Sequence, residues 1–204
     1  MGAQVVEKQY VKYVPKKQGR KWITDVTRPH GGLHKQEEFK KGVEMLEQCA
    51  RNFRNPRLFH ICFTAASVYI YLLAMTRLCR VLKAEGIDYR YKAALEYDDS
   101  KGEHFHVMIV LGANQQTGRF ITADDETGKI ECESALRKAV RHTWSECANL
   151  DYSVIRPKSQ GGLPYIQFNQ SNQEKFDNAV EWMSYIYKAR SKLASGTVYF
   201  SDRQ

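Results

Sequence analysis

The sequence predicts an α+β fold with helices packed on one face of an antiparallel sheet. Some segments carry apolar residues at every second position, as strands do, and others carry them every three or four positions, as amphipathic helices do. Hydrophobic residues make up 43% of the chain, which is typical of a folded protein. A length of 204 residues fits one domain with an arm.

The predicted elements follow one another from residue 35 onward. Asn55-Pro56 ends the first helix, Gly86 suits the end of the second, and Ser171 with Glu174 forms a capping box that begins the last. The periodicity predicts helices over residues 35–54, 66–85, 132–147 and from 172 onward, and strands over 57–64, 89–97, 104–111 and 152–156.

From residue 57 the elements run strand, helix, strand, strand, helix, strand, which is the order of a ferredoxin-like or RRM-like βαββαβ unit. Two helices would cover one face of the sheet and leave the other open for a site. The C-terminal helix would then bring Tyr185 to the open face.

Charge is distributed unevenly along the chain. Residues 1–60 hold 13 Lys and Arg against 6 Asp and Glu, whereas the remainder is nearly neutral. We therefore expect a basic N-terminal arm over residues 1–34, a single domain over 35–204 and a polyanionic partner. A solvated tail is the alternative interpretation.

Several features favour the cytoplasm. The N-terminus lacks an apolar signal segment, and the longest apolar run, residues 61–75, is shorter than the ~20 residues that a membrane span needs. The five cysteines include no C-x-x-C pair, and an odd number fits a reducing compartment. We expect no membrane association.

Two histidines flank Phe105 on the third predicted strand. Side chains alternate along a strand, so His104 and His106 share one face and can converge on one metal ion, while Phe105 points to the core. His60 lies on the non-core face of the first strand, either as a further ligand or as a polar neighbour. An isolated H-x-H pattern is more often two ordinary strand histidines.

A carboxylate is expected beside this pair. If the hairpin turn is centred on Ser100, Glu96 lies directly opposite His104, with Cβ atoms ~5 Å apart. Asp98 and Asp99 are the alternatives if the register differs. Two histidines and one carboxylate leave coordination positions open for a substrate oxygen.

The last helix offers a nucleophile. Tyr185 and Lys188 are three residues apart and share a helix face, whereas Tyr187 continues the apolar stripe and is expected in the core. A free tyrosine has a pKa of ~10, so an attacking phenolate needs positive charge nearby.

The order of these motifs resembles the HUH endonuclease superfamily, in its branch of single-tyrosine replication initiators. The matching segments are Phe59–Thr64, His104–His106 and Tyr185–Lys188, and the resemblance covers residues 57–190. The amino-acid sequence around the second and third segments looks most like that of the replication initiators of filamentous phages and of related prophages and plasmids.

The resemblance implies a mechanism. Mg²⁺ or Mn²⁺ held by His104, His106 and Glu96 would polarise the scissile phosphate, and Tyr185 would attack phosphorus to form a 5′-phosphotyrosine. The free 3′-OH would prime synthesis and later rejoin the strand without ATP. Lys188 would position or charge-balance the reacting groups.

The expected partner is single-stranded or hairpin origin DNA in a bacterial host cell, with no small-molecule substrate. Because 204 residues leave no room for an ATPase domain, we expect a host helicase and a single-strand-binding protein to assist. The candidate DNA-binding residues besides the arm are Arg51, Arg54, Arg57, His60 and Thr64.

Two alternatives remain. The first is a transposase or relaxase of the same superfamily, although relaxases usually place the tyrosine near the N-terminus, where only Tyr10 and Tyr13 are available. The second is an RRM-like binding module without chemistry, in which aromatic residues on the open sheet face would stack on bases.

Overall fold

The computed structural model describes residues 36–64, 67–98, 102–112, 122–123, 130–131, 151–157, 163–187 and 199–202. The predicted arm over 1–34 and the predicted helix over 132–147 lie outside these residues. The helices are α1 (Gln36–Asn52), α2 (Val68–Ala84) and α3 (Gln173–Met183), followed by a 3-10 helix (Ser184–Tyr187). The strands are β1 (Arg57–Thr64), β2 (Tyr89–Asp98), β3 (Gly102–Leu111), β4 (Thr122–Ala123), β5 (Ile130–Glu131), β6 (Asp151–Ile155), β7 (Tyr165–Gln167) and β8 (Tyr199–Ser201).

The fold is α+β, built on an antiparallel sheet. Five strands lie in the order β6-β1-β3-β2-β8, and β7 pairs with the beginning of β1. The short strands β4 and β5 pair with each other apart from this sheet. Among the described helices, none is both long and apolar enough to cross a membrane.

One face of the sheet packs against α2. Phe59, Ile61 and Phe63 of β1 are buried there, as their alternation with polar residues predicts, and Tyr71 of α2 stacks on Phe105 with ring centroids 3.9 Å apart.

The end of α2 also agrees with its prediction. Gly86 adopts a φ of +65°, and its N–H donates to the Lys83 carbonyl while the Ile87 N–H donates to the Leu82 carbonyl. This is the paired hydrogen bonding by which a glycine in the left-handed region terminates a helix.

The second face is covered as well, so the prediction of helices on one face only is wrong. The apolar side of α1, together with α3 and the 3-10 helix, packs on Leu58, Met108 and Val110. The alternation of polar and apolar residues explains this. On this face β1 and β3 carry apolar residues at one end and histidines at the other, so the apolar end needs a cover.

The last helix begins and ends differently from its prediction. Its N-cap is Asn172 rather than Ser171, because the Ser171 hydroxyl donates to the Asn169 side chain and the Asn172 side chain accepts from the Lys175 N–H. The α-helix stops at Met183, where the Ser184 hydroxyl donates to the Glu181 carbonyl. Tyr185 therefore lies on a 3-10 turn and not on an α-helix.

Candidate metal centre

The hairpin of β2 and β3 has the register that the sequence predicts. Glu96 pairs with His104, and Asp98 pairs with Gly102, two residues nearer the turn. Asp99 lies outside the described residues. Glu96, His104 and His106 consequently point to the same face of the sheet, and all three are buried.

The three side chains converge on one another. Oε2 of Glu96 lies 3.8 Å from Nε2 of His104 and 3.6 Å from Nε2 of His106. The candidate ligand atoms of the three residues all lie within 4.8 Å of one another. These separations exceed a hydrogen bond. The two carboxylate–imidazole separations are slightly wider than the roughly 3.0–3.5 Å between two ligands that share a cation at ~2.1 Å, and the limit of 4.8 Å for the whole group is more than 1 Å wider. The three side chains would have to move together to bind one divalent ion.

The backbone orients His104 toward that point. Nδ1 of His104 lies 3.0 Å from the carbonyl oxygen of Gly102. A carbonyl only accepts, so Nδ1 carries a hydrogen and donates it, and Nε2 is the nitrogen that can offer a lone pair to a metal. Gly102 has a φ of +69°, a conformation that other residues adopt only with strain.

His60 contacts the centre without joining it. It lies on β1 opposite Met108, which makes it a diagonal neighbour of His106 across the β1–β3 pair. Nε2 of His60 lies 2.8 Å from Nδ1 of His106, the ring nitrogen on the side away from Glu96. His60 is therefore the polar neighbour foreseen for it and not a member of the three-ligand group.

Tyr185 lies against the same histidines. Its ring centroid is 5.1 Å from that of His106 and 5.1 Å from that of His60, and the side chain is half-buried. Tyr187, in contrast, is fully buried and packs edge-to-face on Phe39 of α1, as its place in the apolar stripe predicts. Lys188 lies outside the described residues.

The candidate DNA-binding arginines do not lie at this centre. Arg51 and Arg54 are exposed at the end of α1, and the Arg57 guanidinium lies 4.8 Å above the Tyr165 ring on the α2 side of the sheet. Arg57 and Thr64 are at opposite ends of β1, roughly 23 Å apart at the usual rise per residue. Thr64 is exposed and pairs with His104, so it borders the centre.

Trp182 is a contact that sequence reasoning missed. Its ring lies 5.8 Å from His60, in an edge-to-face arrangement. Its position three residues before Tyr185, and thus on the same side of the chain, was the available signal.

We compared the chain with models of protein families, with curated proteins and with solved structures, and none of these comparisons gave a match.

Proposed function

We propose that this chain is a metal-dependent endonuclease that cuts and rejoins single-stranded DNA through Tyr185, as an initiator of rolling-circle replication. One observation carries the proposal. The converging group of Glu96, His104 and His106 lies beside a half-buried tyrosine whose ring is 5.1 Å from that of His106. A site for a divalent cation next to a phenol supports transfer of a phosphate diester to tyrosine, because the cation can offset the phosphate charge while the phenol attacks.

The donor set fits a divalent transition metal. Two imidazoles and one carboxylate leave coordination positions for a substrate oxygen, and this mixed set suits Mn²⁺ better than Mg²⁺, which prefers oxygen ligands alone. When bound, the cation supplies positive charge to a phosphate oxygen. Glu96, His104 and His106 would hold it, with Nε2 of His104 available because its Nδ1 donates to Gly102.

Tyr185 is the proposed nucleophile. Its phenol oxygen bonds to phosphorus as the bond from phosphorus to O3′ breaks, the phenol proton leaves to solvent, and the departing O3′ takes up a proton. The 5′-phosphate stays on Tyr185 and a free 3′-OH is released. In the reverse reaction a 3′-OH attacks the phosphotyrosine, so the strand is rejoined without ATP. Lys188 is proposed to balance the charge of these steps.

The finer topology belongs to the same proposal. β3 lies between β1 and β2, which α2 connects, and β6 pairs with the other edge of β1. This arrangement supports a ferredoxin-like βαββαβ unit in which the helix predicted over residues 132–147 links β3 to β6.

The proposed partner is single-stranded or hairpin origin DNA in a bacterial cytoplasm, assisted by a host helicase and a single-strand-binding protein. Thr64 borders the centre, which supports a contact with the strand there. Arg51 and Arg54 are exposed at the Arg57 end of β1, so they are better placed for phosphates that flank the cut.

The RRM-like alternative is less well supported. The aromatic residues of β1 and β3, which are Phe59, Phe63 and Phe105, are buried against α2 and cannot stack on bases. The relaxase alternative expects a third histidine among the ligands, whereas His60 contacts the far nitrogen of His106.

The test uses the full chain, Mn²⁺ and a pool of single-stranded oligonucleotides with randomised hairpin loops. We expect a covalent protein–DNA adduct that survives denaturing electrophoresis and maps to Tyr185 by mass spectrometry of the digest. Tyr185→Phe should abolish it. The matched control is Tyr69→Phe, because Tyr69 is 73% exposed on α2 and should be dispensable. An adduct that persists in Tyr185→Phe, or no adduct with any oligonucleotide, overturns the proposal.

A further inference from the structure

Three rings form a nearly equilateral triangle at the edge of the candidate centre. The ring centroid of His60 lies 4.9 Å from that of His106 and 5.1 Å from that of Tyr185, and the His106 and Tyr185 centroids are 5.1 Å apart. His60 and His106 are both buried. One residue therefore contacts both a candidate metal ligand and the candidate nucleophile.

The contact between the two histidines is a hydrogen bond whose direction depends on which nitrogen of each ring carries the hydrogen. Nε2 of His60 and Nδ1 of His106 are 2.8 Å apart, so one hydrogen lies between these atoms. The other nitrogen of His106 faces Oε2 of Glu96. If that nitrogen is to bind a cation, it must keep its lone pair, so the hydrogen of His106 is on Nδ1 and is donated to His60.

We propose that His60 is a positioning residue, which holds His106 in its metal-binding tautomer and orientation while its ring supports that of Tyr185. This inference rests on the proposed function, because it assumes that His106 is a ligand. Trp182 packs edge-on against His60 from α3, so the imidazole is held on the side of the tyrosine-bearing segment as well. His60 thus links the cation-binding strand β3 to the turn that carries Tyr185.

Two substitutions separate the hydrogen bond from the packing. His60→Phe keeps a ring for Tyr185 and Trp182 but offers no acceptor to His106. His60→Gln keeps a side-chain carbonyl that can accept. Loss of a partner behind a metal ligand weakens metal binding roughly 10–100-fold, so His60→Phe should weaken Mn²⁺ binding by that factor and His60→Gln by less. A purely structural role would give the two variants the opposite order.

The first measurement is the Mn²⁺ affinity of the full chain without DNA, determined by electron paramagnetic resonance. Unchanged affinity in His60→Phe overturns the inference about His60. His104→Ala distinguishes that result from failure of the metal centre itself: if His104→Ala also leaves the affinity unchanged, the centre is wrongly assigned and the proposed function fails with it.

The second measurement needs no variant and so does not depend on a variant's folding. Long-range ¹H–¹⁵N correlation spectra of the wild-type protein loaded with diamagnetic Zn²⁺ report which nitrogen of His106 carries the hydrogen. We expect hydrogen on Nδ1. Hydrogen on Nε2 would mean that His106 accepts from His60, and it would overturn the positioning role.

Discussion

Glu96 and His104 are directly opposite each other across the β2–β3 hairpin, with Oε2 of the carboxylate 3.8 Å from Nε2 of the imidazole. Side chains alternate along β3, so this pairing brings His106 to the same carboxylate, at 3.6 Å. A single register thus generates the whole three-ligand group.

Glu96→Gln tests the carboxylate without changing its size. The amide lacks the negative charge of the carboxylate, so we expect Mn²⁺ affinity to fall at least about tenfold. Loss of a residue that only supports a metal ligand already costs about that much, and loss of a ligand should cost more. Isothermal titration calorimetry measures it. Glu103→Gln is the matched control, since Glu103 is on the same hairpin but points to the other face of the sheet. Equal affinities in the two variants would remove Glu96 from the centre.

Gly42→Ala tests the packing that holds the tyrosine-bearing turn. A Cβ at Gly42 would lie 2.5 Å from Oη and 2.9 Å from Cε2 of the buried Tyr187. Overpacking of this kind costs about 1–3 kcal/mol, which outweighs the ~1 kcal/mol that alanine normally gains over glycine in a helix. We expect a net loss of about 1 kcal/mol in urea unfolding.

Tyr187→Phe provides the control for this substitution. It removes the closest of the clashing atoms, so Gly42→Ala should be less destabilising in that background. A stabilising Gly42→Ala in the wild-type background would contradict the packing of α1 on the 3-10 helix.

Asp202→Ala tests the anchor of the last strand. Asp202 follows β8, pairs with the Arg90 guanidinium and accepts a hydrogen bond from the Tyr91 N–H at 3.2 Å. Its side chain is only 10% exposed, so we expect a loss of about 1.5–3 kcal/mol, as for hydrogen bonds to a charged group. Thermal or urea unfolding measures it. Asp177→Ala, at an exposed position on α3, should change stability by less than about 0.5 kcal/mol. Similar effects at both sites would mean that β8 is not anchored in this way.

Cys49 provides a probe of global opening. Cys49 lies on α1 in the core between this helix and the sheet, and burial there is the main cause that raises the pKa of the Cys49 thiol to about 12. The raised value means that the reactive thiolate is scarce in the folded state below that pH, and the reagent is excluded as well. Iodoacetamide at pH 8 should therefore modify Cys49 only through unfolding, at a rate that rises with urea. Peptide mass spectrometry measures the modification of Cys49. Modification in the native protein at the rate of an exposed thiol would contradict this burial.

Local patterns predicted much of this structure. Alternation and helical spacing indicated β1, α2 and the core position of Tyr187, and the turn residues around Ser100 indicated the register of Glu96 and His104. These features depend on residues that are close to one another in the chain, so they can be predicted from a single sequence.

The parts that were not predicted depend on contacts between distant segments. The apolar side of α1 carries no information about which sheet face it covers, and the half-apolar face at Leu58 and Val110 was the overlooked signal. The 3-10 turn at Tyr185 coincides with the hydrogen bond of the Ser184 hydroxyl and with the packing of Tyr187 beside Gly42, and the second of these joins distant segments. The hydrogen bond between His60 and His106 is a diagonal contact across β1 and β3 between two residues that are 46 positions apart in the chain.

The most direct test of the metal centre is anomalous diffraction at the manganese edge from crystals soaked in Mn²⁺. We predict one strong peak within about 2.0–2.3 Å of Nε2 of His104, Nε2 of His106 and a carboxylate oxygen of Glu96, on the side that faces Tyr185. Two results would contradict the account. One is a manganese peak at another place in the protein, and the other is the absence of a peak here with the Glu96 carboxylate hydrogen-bonded directly to a protonated histidine.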